Sequence, residues 1–199
     1  MSIAIVDYGA GNLTSVKKAL DSLGQATFIS SDPERVSHAG KLIVPGVGHF
    51  AATAAIDRCG LRDVIEAAIY RGIPVLGICL GMQWMFTSSA EAPHLRGLGV
   101  FLGACTLFSG SLKVPHVGWN ELNIVNTSPL LRELPSSSFV YFTHSYKLPL
   151  IDQTIAVSEY GEAFSAIVGQ DRVFGVQFHP EKSGAVGKKI LENFCGLPC

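Results

Sequence analysis

An α/β fold is what this sequence predicts: an open, mostly parallel sheet flanked by helices on both faces, with an added antiparallel, strand-rich portion in the second half. Two patterns carry that expectation. Through the first half, short apolar runs alternate with amphipathic stretches of helical period. Such βαβα order places parallel strands between layers of helices. In the second half, β-branched and aromatic runs bounded by turn residues succeed one another without helical stretches between them, the signature of strands joined by turns.

Taken in order, Ile3-Ala-Ile-Val6 reads as a buried strand and Asp7-Tyr-Gly-Ala-Gly-Asn12 as the turn after it. Leu13, Val16, Leu20 and Leu23 are spaced 3, 4 and 3. They form one helix face, with Gly24 as the expected cap. Lys41-Leu-Ile-Val44 is the next strand, ended by Pro45-Gly-Val-Gly48. Leu61, Val64, Ile65, Ala68 and Ile69 fit a second helix face, Ile73 to Ile78 a further strand, and a helix is expected from about Leu80. Later strands are expected at Ser138 to Phe142, Ile155 to Glu159, Ala163 to Val168 and Val173 to Phe178. A closing helix is expected from Ala185 to Phe194. With no repeat, linker or low-complexity tract, residues 1–199 read as a single domain.

Composition narrows the function. Apolar residues make up 48% of the chain and charged residues 16%, with a net charge of −1. That is the make-up of a packed core, not of a disordered tail. It offers no field to gather nucleic acid or an anionic membrane. The longest apolar stretch, Gly72 to Met82, is interrupted by glycine and proline and is shorter than the ~18 residues a span needs. The first residues lack the basic region of a signal peptide. A cytoplasmic protein is expected. Cys59, Cys79, Cys105, Cys195 and Cys199 are odd in number and form no Cys-x-x-Cys pair. Neither a disulfide framework nor a metal site is indicated, and no cofactor.

One cysteine stands apart. Gly77-Ile-Cys-Leu-Gly81 lies between a strand and a helix, the form of a nucleophile elbow with Cys in place of Ser. The glycines remove side chains that would collide at the sharp turn. The Leu80 N–H is left free at the helix start, and the helix dipole favours a thiolate at Cys79. A thiolate needs a base. Of His38, His49, His94, His116, His144 and His179, the last stands in Phe178-His-Pro-Glu181 at an expected strand end. Residues i and i+2 of an extended segment point the same way, which brings Glu181 to the ring. Cys79, His179 and Glu181 together make a nucleophile, a base and an orienting carboxylate. Pro45-Gly-Val-Gly48 can present a second backbone N–H to the same crevice. Alone, each piece has a plain structural alternative: Cys79 as a core thiol, His-Pro-Glu as a surface ion pair, the glycine turn as an ordinary turn.

Three segments, Pro45-Gly-Val-Gly48, Gly77-Ile-Cys-Leu-Gly-Met-Gln83 and Gln177-Phe-His-Pro-Glu-Lys-Ser183, together resemble the class I, triad-type glutamine amidotransferases. Asp7 to Leu13, Pro115-His-Val-Gly-Trp-Asn120 and Phe142-Thr-His-Ser-Tyr146 are similar, more narrowly, to the glutaminase subunits of imidazole glycerol phosphate synthase in histidine biosynthesis. The resemblance covers essentially the whole chain. It implies hydrolysis of L-glutamine to glutamate and ammonia through a thioester on Cys79. His179 then serves the thiolate and the leaving ammonia, and Glu181 orients it. The N–H groups of Val47 and Leu80 are implied as the oxyanion hole, and Gly48, Gln83, Glu91, His144, Ser145 and Tyr146 as the glutamine site. His49 departs from any fixed pattern; it either adds a local pH dependence or is simply exposed.

The implied partner is a (β/α)8-barrel cyclase subunit in a heterodimer, since free ammonia is soon protonated in water and must be handed on. Asn12, Trp119 and Lys182 are the candidate docking residues, Trp119 having a hairpin or core role as its alternative. Low activity without partner and acceptor is expected, because unregulated turnover wastes glutamine. Two other readings remain open at this point. One is the glutaminase of a different synthase or a free hydrolase. The other is a non-catalytic binding domain on the same scaffold.

Overall fold

A computed structural model describes residues 2–110, 112–135 and 137–198. Met1 and Cys199, both used in the sequence reading, lie outside the described residues. The chain runs β1 (Ile3–Val6), α1 (Leu13–Asp21), β2 (Thr27–Ser30), α2 (Pro33–Ser37), β3 (Lys41–Gly46), α3 (Ala54–Arg58), α4 (Leu61–Tyr70), β4 (Val75–Cys79) and α5 (Leu80–Trp84). It continues with β5 (Phe86–Ser89), β6 (Phe101–Leu107), β7 (His116–Ile124), β8 (Ser138–His144), β9 (Tyr146–Lys147), β10 (Thr154–Glu159), β11 (Ala163–Gln170), β12 (Val173–Val176) and α6 (Gly184–Cys195).

Among the described residues, nine strands form one sheet in the order β2-β1-β3-β4-β12-β11-β10-β7-β8. The first five are parallel, and from β12 to β8 every pairing is antiparallel. The strand-rich second half therefore extends the parallel sheet rather than standing beside it. A smaller sheet, β5-β6-β9, lies apart.

Period-2 alternation divides the core between the two faces. Ile3, Ile5, Ile43, Leu76 and Ile78 pack with Val16 and Leu20 of α1 and Ile190, Leu191 and Phe194 of α6. Ala4, Val6, Leu42, Val44 and Val75 pack on the other side with Val36 of α2 and Leu61, Ile65 and Ala68 of α4. Buried on both faces, these strands read as unbroken apolar runs. Among the described residues no helix is long and apolar enough to cross a membrane.

Several boundaries differ from expectation: β3 runs on through Pro45 to Gly46 rather than ending at Val44, and three others have a local cause. α1 ends at Asp21; Gly24, at φ +72°, turns the chain after it while the Gln25 N–H returns to the Leu20 carbonyl. β4 begins at Val75 because Pro74 has no N–H to give the ladder. β12 stops at Val176, so His179 does not end a strand. It caps a single 3-10 turn, Pro180–Lys182, whose first position suits the fixed φ of proline. The His179 N–H meanwhile bonds the Tyr141 carbonyl on β8, which draws the chain away from the β12 ladder.

Candidate active site

β4 and β12 are parallel neighbours at the middle of the sheet, with Ile78 opposite Val176. Their carboxyl ends therefore lie side by side, and ligand crevices in such sheets open at that edge. Cys79 sits there at φ 54°, ψ −108°, a conformation that costs a non-glycine residue ~1–3 kcal/mol. The sharp turn is closed by two glycines with no room for a side chain. A Cβ on Gly77 would stand 2.8 Å from the Gly81 carbonyl, and one on Gly81 only 1.8 Å from that of Val44. α5 is five residues long, so its dipole is that of little more than one turn. Its first N–H groups, Leu80 among them, have no acceptor within the helix.

The Cys79 thiol is 5% exposed and faces the Thr143 carbonyl at 3.9 Å, while Gln177 Nε2 donates to Sγ at 3.7 Å. His179 is buried, and its Nδ1 lies 2.9 Å from Glu181 Oε1. The i, i+2 contact is made across the turn rather than along an extended strand. Behind the ring, Ser183 Oγ donates to the His179 carbonyl at 2.6 Å and accepts the Tyr141 N–H at 3.0 Å. His179 Nε2, turned away from Glu181, has no hydrogen-bond partner among the described residues. Burial disfavours a charged ring here, but Cys79 and Glu181 outweigh it and push the pKa up from 6.5 to about 9. A protonated imidazole beside a buried thiol, propped by a carboxylate, is equipped for nucleophilic attack followed by proton donation.

That raised pKa has a measurable consequence. The charged ring contributes stability that is fully present below its ordinary 6.5 and is lost as pH rises through about 9. Glu181→Gln keeps a side chain at Nδ1 but removes the negative charge. The His179 titration, followed by its ring-proton NMR signal, is expected to move down by about one unit or more. An unmoved titration refutes the assignment of Glu181 as a prop for the charge.

Beside Cys79 opens a cavity of about 260 Å³. Ligand pockets start at roughly 300 Å³, so this one suits a ligand the size of an amino acid. Val47, Gly48, Leu80 and Gln83 line one side; Glu91, His144, Ser145 and Tyr146 line the rest, with Pro115 and Thr143. Among the described residues Glu91 is the one carboxylate in that wall, and its Oε2 accepts the Phe50 N–H at 2.6 Å. It gives the cavity a negative end that favours an ammonium group. Gln83 is buried and donates through Nε2 to the Tyr146 carbonyl at 3.2 Å and to Gln177 Oε1 at 3.1 Å.

Residues 4–196 match the family model for class I glutamine amidotransferases. The chain belongs to that family. Among curated relatives, the imidazole glycerol phosphate synthase subunit HisH of Geobacillus kaustophilus is 47% identical over 204 residues, covering 98% of this chain and 96% of that protein. HisH of Lactococcus lactis is 45% identical over 195 residues, covering 96% of each chain. HisH of Methanocaldococcus jannaschii is 41% identical over 196 residues, covering 98% of this chain and 99% of that one. Two solved structures share the fold. One is a glutamine amidotransferase crystal structure, with TM-score 0.77, 19% identity, and coverage of 98% of this chain and 100% of that one. The other is PurLQS of Thermotoga maritima, with TM-score 0.78, 19% identity and coverage of 98% and 97%.

Within this amidotransferase the docking candidates stand outside the cavity. Trp119 is 56% exposed on β7, paired with Tyr141 of β8. Val117 and Phe139 share its face and are exposed too, so an apolar strip leads toward Thr143 at the cavity wall. Asn12 is exposed, and its side chain caps α1 by accepting the Ser15 N–H at 3.2 Å. Lys182 is exposed on the turn after His179. His49 is exposed outside the cavity wall, its Nδ1 accepting the Ala51 N–H at 3.0 Å. Gln177, Thr143 and Ser183, which contact Cys79 or brace His179, stand inside the segments that carry the resemblance, but their roles show only once the fold brings them to the site.

Proposed function

We propose that the chain hydrolyses L-glutamine to glutamate and ammonia and supplies the ammonia to a cyclase subunit of imidazole glycerol phosphate synthase in histidine biosynthesis. The observation that carries this reading is Cys79, held at φ 54° in the cavity wall, together with a His179–Glu181 contact of 2.9 Å. Class I membership and the HisH names of the relatives support it.

In the proposed mechanism the Cys79 thiolate attacks the side-chain amide carbon of glutamine. The developing oxyanion takes hydrogen bonds from the Val47 and Leu80 N–H groups, each worth roughly 3 kcal/mol of barrier. The C–N bond then breaks, and the His179 imidazolium gives its proton to the leaving nitrogen, so ammonia departs and a thioester remains. Water, deprotonated by the now neutral His179, attacks the thioester and releases glutamate and the thiolate. Glu91 meets the α-ammonium. Gly48, Gln83, His144, Ser145 and Tyr146 form the rest of the glutamine site.

The proposed partner is a (β/α)8-barrel cyclase in a heterodimer, with residues 1–199 acting as one domain in the cytoplasm. Asn12, Trp119 and Lys182 are assigned to the docking face, and the exposed apolar strip around Trp119 favours them. Trp119→Ala is expected to weaken cyclase binding about tenfold or more, as for an aromatic hot spot, with the melting temperature unchanged. Calorimetric titration measures it, and an unaltered Kd removes Trp119 from the interface. The function itself is tested by glutamate release from glutamine, with and without the cyclase and its acceptor. Release that is low alone and rises in the liganded complex is expected. No release under any condition overturns the reading.

A further inference from the structure

His144, in the cavity wall, touches a second histidine that stands outside that wall, His116. His116 on β7 and His144 at the end of β8 are opposed in register, and both are buried. His116 Nδ1 lies 3.0 Å from His144 Nε2. The remaining ring nitrogens are also engaged. His144 Nδ1 is 2.9 Å from the Tyr146 carbonyl oxygen, and His116 Nε2 is 3.4 Å from Asn120 Nδ2. The Asn120 amide has one orientation, because Nδ2 also donates to the Glu159 carbonyl at 2.7 Å and Oδ1 accepts the Glu121 N–H at 2.8 Å.

The two ends of this chain dictate every proton in it. A carbonyl oxygen only accepts, so His144 Nδ1 carries the hydrogen at the Tyr146 end. A neutral ring carries one hydrogen, so His144 Nε2 accepts. His116 Nδ1 must then donate, and His116 Nε2 accepts from Asn120. Each ring is neutral and in one tautomer, as inferred from its partners. Burial acts in the same direction, lowering His116 to about 4 and His144 to about 3. The chain does not stop at Tyr146. The same carbonyl accepts Gln83 Nε2, Gln83 Nε2 also donates to Gln177 Oε1, and Gln177 Nε2 reaches Cys79 Sγ.

We propose that His116 is a positioning residue for the glutamine site. By fixing the tautomer of His144, it holds the Tyr146 carbonyl and, through that carbonyl, Gln83 at the wall of the cavity. The proposal rests on the glutamine reading above and adds to it a residue that touches no ligand. The His116 ring is sandwiched between Phe142 at 4.9 Å and Tyr160 at 4.2 Å, interplanar angles 23° and 18°. His116→Phe therefore keeps a stacked ring and deletes only the donor and acceptor. His116→Asn places an amide nitrogen where Nδ1 was and restores the donor.

The test labels Cys79 in the full chain with two reagents. One is 6-diazo-5-oxo-L-norleucine, a glutamine-shaped electrophile. The other is iodoacetamide, which is too small to use the whole site. His116→Phe is expected to raise the half-saturating concentration of the diazoketone about five- to tenfold, the worth of one neutral hydrogen bond. Its maximal labelling rate and the iodoacetamide rate should stay near wild type. His116→Asn should return the half-saturating concentration most of the way. An unchanged value in His116→Phe, an equal loss with both reagents, or no recovery in His116→Asn overturns the proposal. If His116→Phe does not fold, Asn120→Ala removes one of the two ends that hold the tautomers and is expected to raise the same concentration; no rise overturns it. Wild-type labelling that glutamine does not protect refutes the glutamine reading itself, a result distinguishable from failure at His116.

Discussion

Cys79→Ala is expected to abolish glutamine hydrolysis, a loss on the order of 10⁶-fold as when the nucleophile of a comparable triad is deleted. The reason lies in what remains. His179 and Glu181 keep their 2.9 Å contact, but neither can form the thioester that splits amide cleavage into two steps. No other described thiol can substitute. Cys105 is buried against the Gln83 carbonyl, and burial drives its thiol pKa far up. Cys195 is pushed up to about 11, also by burial, and sits in α6. Cys59 is exposed at the end of α3, outside the cavity wall. Alanine tolerates φ 54° no better than cysteine, so the strain of the elbow persists and stability should change little. Glutamate release in the presence of cyclase and acceptor measures the effect, with the melting temperature as control. Residual turnover within tenfold of wild type refutes Cys79 as the nucleophile, whereas absence of turnover in wild type as well, although the complex forms, moves the binding-domain reading ahead.

The parts of the fold that were legible in the sequence share a physical cause: each is specified by its own local pattern. β1, β3 and β4 are buried on both faces and show it as apolar runs. α1, α4 and α6 are long enough for a 3.6-residue period to appear. α2 and α3 are five residues each, too short to show one. β2 is half-exposed along most of its length. β7 mixes His116, Gly118 and Asn120 into the face that alternation would mark, and only its register with β8 shows why. There His116 serves the hydrogen-bonded chain rather than an apolar core.

The site divides in the same way. The steric demands around Cys79 and the stiffness of His179-Pro-Glu181 are written into neighbouring residues, so both could be read. The contacts of Gln177 with Cys79, and of Ser183 with the backbone of His179 and Tyr141, depend on which strands became neighbours. β12 ends at Val176 rather than at Phe178 for a related reason. Apolar character continues to Phe178, but hydrogen bonding to β8 takes over at His179.

Gly81→Ala is expected to cost both stability and activity, and by a route the chain cannot evade. The added Cβ would stand 1.8 Å from the Val44 carbonyl oxygen and 2.8 Å from its carbon, both backbone atoms of β3. β3 cannot yield, because it is paired on both sides in the parallel centre of the sheet, with Val44 directly opposite Gly77. The movement must come from the start of α5. That movement carries Leu80 away from the cavity and relaxes the conformation that presents Cys79. Overpacking typically costs ~1–3 kcal/mol. A clash with fixed backbone belongs at the upper end, a fall in melting temperature of about 6–12 °C for a domain of this size. Displacing one proposed oxyanion donor should lower kcat a further 10²–10³-fold, approximately the loss seen when such a donor is removed. Calorimetry and glutamate release on the same sample separate the two effects. If activity falls while the melting temperature holds within about 2 °C, the elbow has rearranged without loosening the sheet. If both hold, the close approach of Gly81 to Val44 is not what shapes this site.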